Sequence, residues 1–292
     1  MDMKNSVRIK KSTSWITLAV LCLGVAALLL FGARDVLRDV YHEIHTSKQV
    51  ASDPLPKPVD YNDIVNSTNQ DDFSDTNVNT GEELTNTSAE GTTKEHINGN
   101  GAIPEEFLLN VPFTSQAPNA NWDQPYQDAC EEASVLTVDF YYKEKKFTPA
   151  VADEEILKFV EFEKTYLGFY ESTTAAEIAR VIRAYLEYTH VDVIDNPTSN
   201  QIKAFVAAGH PVIVPAQGQQ LGNPNFTAPG PVYHMFVVRG YTADQFITND
   251  VGTRNGENYR YDIPVVMSAM HDWNGGDVDN GAKRIIVIYP DK

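Results

Sequence analysis

The apolar positions change period along the chain, and each period predicts a different element. From Trp15 to Ala33 the run WITLAVLCLGVAALLLFGA holds no ionisable side chain except Cys22. At about 1.5 Å per residue it matches a hydrocarbon core of about 30 Å. Val36, Leu37, Val40 and Ile44 then recur at helical spacing. Beyond Pro54 and Pro56 the pattern collapses, and residues 61–103 hold eight Asn, eight Asp or Glu and only isolated large apolar side chains. From Glu106 onward regular periods return. They predict helices at Cys130–Lys146, 151–164, 174–188, 198–208 and 263–272, with Thr174 and Glu177 as a capping box. Strands are predicted at Val191–Ile194, Pro211–Ala216, Tyr233–Tyr241, Gln245–Asn249 and Ile285–Tyr289. Helices precede a mostly antiparallel sheet, which is the α+β class.

Charge divides the chain in the same places. Lys4, Arg8, Lys10, Lys11 and Arg34 face Asp2 alone within residues 1–34, whereas residues 35–105 carry four basic and fourteen acidic side chains. The positive-inside rule puts the basic tip, residues 1–14, in the cytoplasm, with a signal anchor at 15–33 as a single transmembrane helix. Everything after Arg34 then lies outside the cell membrane. The rival reading, a cleaved signal peptide, lacks a small-x-small site: Phe31 stands two places before Ala33, and Leu30 two before Gly32. Residues 34–105 read as an acidic, mostly disordered extracytoplasmic stalk, too polar to offset the entropy of ordering. Residues 106–292 suffice for one core. The formal net charge of −17 excludes a generic basic nucleic-acid footprint. No P-loop pattern is present, and no cofactor or metal site is expected: the Asp-rich stretch 272–280 lacks EF-hand spacing.

With Cys22 in the expected span, Cys130 is the one thiol of the outer part, so no intrachain disulfide can form there. It stands at a helix start, where the dipole depresses a thiol pKa; Glu131 and Glu132 would raise it if they pointed at the sulfur. A nucleophilic Cys needs a base and the base an orienting partner. His190, His210 and His271 sit where structural roles suffice. His234 opens an apolar strand directly after the loop 217–231, and Asp250 ends the next strand within reach of it. That loop reads either as a lid over the cleft or as an ordinary connection.

VPFTSQ (111–116), a loop with Trp122, ACEEAS (129–134), HMFVVRGY (234–241) and ITNDVGTRNGENYRY (247–261) resemble the peptidase-like domains related to the bacteriocin-processing, double-glycine-leader cysteine peptidases of the papain-like group. The resemblance covers about 108–289. It implies a papain-like fold, a nucleophile at Cys130, a general base at His234, an orienting Asp250, and a peptide or protein substrate. It also implies a Gln that helps hold the oxyanion: Gln116 by motif, with Gln124, six residues before the Cys, as its rival. Many members have Cys-Gly-Pro where this chain has Cys130-Glu131-Glu132. An acyltransferase or wall-peptide amidase would use the same triad, and a catalytically degenerate surface-binding module is the alternative that makes no use of it.

Overall fold

Strand β4, Tyr233–Tyr241, is buried along its whole length, and the rest of the fold is built on its two faces. The computed structural model describes residues 54–71 and 103–290. Within them lie helix α1 (Tyr61–Asp71), strand β1 (Phe107–Leu108), helices α2 (Cys130–Tyr142), α3 (Pro149–Tyr166) and α4 (Ala175–Tyr185), strand β2 (His190–Asp195) and helix α5 (Ser199–Ala207). Strands β3 (Val212–Gln217), β4, β5 (Gln245–Asn249) and β6 (Tyr259–Asp262), helix α6 (Ile263–Ala269) and strand β7 (Arg284–Tyr289) complete the order. The sheet runs β2-β7-β3-β4-β5-β6, antiparallel at every pairing, with β1 added against the end of β4.

Period-two alternation divides β4 between two cores. Tyr233, Met235 and Val237 pack with Cys130, Ala133, Phe159 and Ile178, under α2, α3 and α4. Phe236 and Val238 pack with Ile202, Phe205, Val266 and Met270, under α5 and α6. A helix layer on each face explains why β3 and β4 read as continuous apolar runs. The helix starts follow their sequence signals: Thr174 and Thr198 each form a capping box, with Glu177 and Gln201 respectively.

Helix α2 is buried from Cys130 through Tyr141, so its polar residues go inside with the apolar ones. Between β5 and β6 the chain folds back on itself, and β6 was not expected from sequence; its YRYD pattern is short and shows little apolar contrast.

The expected stalk does not hold for residues 54–71. Val59 bridges Leu109, and helix α1 sets Tyr61 against the rings of Tyr141 and Tyr142 at centroid distances of 5.9 and 5.2 Å. The polar composition of this segment hides one stripe, Tyr61, Ile64 and Val65, at i, i+3 and i+4 spacing. The tip 1–14, the expected span 15–33 and residues 34–53 and 72–102 of the stalk lie outside the described residues. Among those described, no helix is long and apolar enough to cross a membrane.

Candidate active site

The first residues of β4 and the end of β5 meet because a hairpin, Thr242 to Asp244, joins the two strands. His234 Nε2 lies 2.8 Å from Asp250 Oδ1, and both side chains are buried, at 2% and 0% exposure. The Gly252 N–H donates to the same Oδ1 at 3.0 Å. Asn223 Nδ2 donates to Oδ2 at 3.0 Å, and the Tyr261 hydroxyl donates to it as well. Burial alone would push the Asp250 carboxyl up; the charge of His234 and these donors outweigh it and hold the group below the usual carboxylate range. The imidazole packs edge-on against Phe226 at 5.2 Å and along Phe236 at 6.2 Å. Gly252 leaves room for it: a Cβ there would come within 2.7 Å of His234 Cε1.

Cys130 begins α2, which packs on β4, and is 6% exposed. The Met235 backbone N–H, one residue from His234, is directed at its sulfur. No hydrogen bond joins the thiol to His234. Cys130 Sγ instead donates to Glu131 Oε2 at 2.9 Å, while Glu131 Oε1 accepts from the Thr173 N–H at 3.1 Å. Burial first, and then the charge and hydrogen bond of Glu131, push the Cys130 thiol well above its ordinary value. The helix-dipole expectation is therefore reversed in this arrangement: Glu131 does point at the sulfur. Its own carboxyl, fully buried, is pushed up to about 7.

Glu132 stands deeper. Its carboxyl and that of Glu163 on α3 are both fully buried, and no other residue donates to either. They face one another, so a hydrogen bond between them requires one to carry a proton. Burial and the charge of Glu163 push Glu132 well up, and burial pushes Glu163 to about 8.

The two glutamines part company. Gln116 is buried and donates both amide hydrogens, to Tyr126 O at 2.9 Å and Gln127 O at 3.0 Å, so it braces the turn before α2. That leaves it no N–H for an oxyanion in this arrangement. Gln124 is exposed, donates to Asp128 Oδ2 at 2.6 Å and accepts from the Tyr170 hydroxyl.

The remaining histidines lie elsewhere. His271 Nδ1 is 2.8 Å from Gly281 O, His210 Nδ1 is 3.0 Å from the Tyr142 hydroxyl, and His190 opens β2. In the 272–280 stretch Asp272 is used internally, accepting from Ala175 N, Trp273 N and Arg284 Nη1 at 2.9 to 3.0 Å. Sequence reasoning missed Asn223 and Tyr261, the two donors to Asp250 Oδ2. A polar residue in the 217–231 loop and a Tyr eleven positions past Asp250 carry no local signal of that role. The loop is neither a plain lid nor a plain connection, since it supplies Asn223 to Asp250 and Phe226 to His234.

No curated protein matches the chain. A crystal structure described as a C39-like peptidase from Bacillus anthracis is similar to it with a TM-score of 0.44 and 14% identity, over 64% of this chain and 99% of that one. The Peptidase_C39 like family model matches residues 108–275, from the strand β1 edge through Cys130, His234 and Asp250. By that match over more than half its length, the chain belongs to the Peptidase_C39 like family of cysteine peptidase-like proteins.

Proposed function

We propose that the chain is a cysteine peptidase, hydrolysing a peptide or amide bond through a thioester on Cys130, and that residues 15–33 anchor it in the cell membrane with its peptidase domain outside. The observation that carries the hydrolase reading is the buried His234–Asp250 pair at 2.8 Å beside the α2 start that bears Cys130. Asp250 fixes the ring through Nε2, which leaves Nδ1 as the atom to take the thiol proton. The sulfur then attacks the carbonyl carbon, and the developing oxyanion falls to the Cys130 N–H at the start of α2, the end of a helix where backbone donors lack intrahelical acceptors. Gln124 is the side-chain donor better suited to assist, because among the described residues only one of its amide hydrogens has a partner, Asp128. The protonated His234 gives its proton to the leaving amine, and water resolves the thioester. The anchor reading rests on the uncharged run 15–33 and the four basic residues before it.

The test is peptide turnover by the full chain and by its Cys130→Ala variant. Mass spectrometry of a slow ester or amide substrate should find an acyl group on Cys130, and Cys130→Ala should lower turnover by at least about 10³-fold. Hydrolysis that survives the substitution, or an acyl group found elsewhere, rejects the reading. Appearance of product only when an amine acceptor is added would move it to acyl transfer. Alkaline carbonate washing should leave the chain with the membranes; its release would reject the anchor.

A further inference from the structure

The proton of Cys130 has an address in this structure other than the one a Cys–His pair supplies. The thiol donates to Glu131 Oε2 at 2.9 Å, and the Thr173 N–H holds the opposite oxygen at 3.1 Å, so the carboxylate cannot swing away freely. Glu131 is 1% exposed, which removes competition from water. We propose that Glu131 is a positioning residue that keeps Cys130 in its thiol form in the substrate-free protein. The inference rests on Cys130 being the nucleophile.

The balance of the step is simple. With Glu131 ionised, the S–H bond is retained and the carboxylate accepts from it. Attack requires that bond to break, with its electron pair remaining on sulfur and the proton forming an N–H bond on His234. Two adjacent anions, thiolate and Glu131 carboxylate, disfavour that state until a substrate carbonyl draws off the sulfur's charge. The groups that face Glu131 are few. Cys130 and Glu132 flank it on α2, Glu163 approaches from α3, and Tyr233 and His234 come from β4, with Asp272 beyond Tyr233. His234 is the single cation-forming group among them and pulls the Glu131 carboxyl downward; Glu131 and Glu132 push against ionisation of the thiol.

Alkylation of Cys130 by iodoacetamide in the full chain, read on the Cys130 peptide by mass spectrometry so that Cys22 does not interfere, tests the proposal against pH. The wild-type rate should reach half its plateau above the unperturbed thiol value of ~8.5. Glu131→Gln keeps the shape and the acceptor for Thr173 but removes the charge. It should lower that midpoint by at least about one pH unit and speed alkylation at neutral pH about tenfold. Glu132→Gln, which removes a buried carboxyl that does not touch the sulfur, should move the midpoint less. A wild-type midpoint below ~8.5 overturns the proposal without any variant. So does a Glu131→Gln midpoint that stays or rises, or an equal shift from Glu132→Gln. The readout needs no substrate, so failure of the peptidase reading appears separately, in the Cys130→Ala turnover assay.

Discussion

Two groups of carboxyls lie equally deep in this protein and behave in opposite ways. Asp250, at the end of β5, is completely buried, yet its charge is favoured. Glu132 and Glu163, between α2 and α3, are as completely buried, and their charges are disfavoured. The difference is the neighbours: a cation and several donors at Asp250, a second carboxyl at the glutamates. Asp250 receives His234, Gly252, Asn223 and Tyr261 over its two oxygens, whereas the two glutamates face each other and no other residue donates to either. Depth does not decide ionisation here; the sign of the neighbouring charge and the aimed N–H and O–H groups do. Glu131 falls between the two, with one amide and one weak thiol donor, and its carboxyl sits near 7.

The largest expected effect comes from breaking the well-supplied side. Asp250→Asn keeps the shape but replaces an acceptor with an amide, and the imidazole loses the partner that fixes its tautomer. Its kcat/KM should fall by on the order of 10⁴-fold, measured on a peptide substrate. A loss under tenfold would mean that Asp250 does not orient His234 for chemistry.

The next effect tests the ill-supplied side through the pH dependence of stability. Glu163 has a folded value near 8 against an ordinary 4.5, so the folded state binds the extra proton between them. Its contribution is whole below about pH 4.5 and is lost as the pH rises through about 8. The unfolding free energy of the wild type should therefore fall by about 2–4 kcal/mol over that range. Glu163→Gln should flatten the slope, because the amide cannot ionise and offers Glu132 a donor. Denaturant melts at several pH values check this, and an unchanged slope would place the proton elsewhere. Asp250 has the opposite sign: its contribution is lost as the pH falls through its lowered value.

The smallest effect comes from thinning the donors one at a time. Tyr261→Phe removes one hydroxyl from Asp250 Oδ2 and leaves Asn223 in place. It should cost about 1 kcal/mol of stability and lower kcat/KM by about tenfold. A neutral variant would show that three donors already suffice.

Much of the frame was legible in the sequence because its signals are local. Thr174 with Glu177 announced α4, the turn at Thr242 separated β4 from β5, and the hairpin brought His234 to Asp250 by connectivity alone. What escaped depends on contacts between distant segments. Asn223 and Tyr261 reach Asp250 from 27 and 11 residues away, and neither residue type signals it. Gln116 was favoured for the oxyanion by its motif, but motif membership does not say where two amide hydrogens go, and they go to carbonyls 126 and 127. Helix α1 was hidden by averaging: three apolar residues on one stripe disappear in a segment of Asn and Asp. The pairing of Glu132 with Glu163 could not be read because α2 and α3 are each predictable alone, while their rotation against each other is set by packing.

Gly252 gives the site a further property, one visible to selection rather than to kinetics. Its backbone is not left-handed, so for residues that keep the N–H it is space, not conformation, that restricts it. The His234 ring occupies the volume that a methyl group would need, and Gly218 is crowded in the same way by Pro231 and by the His234 Cβ. In a library that randomises every codon, positions 252 and 218 should tolerate glycine alone among survivors of a selection for activity. They would then look as constrained as the histidine they surround, although neither brings a side chain to the site.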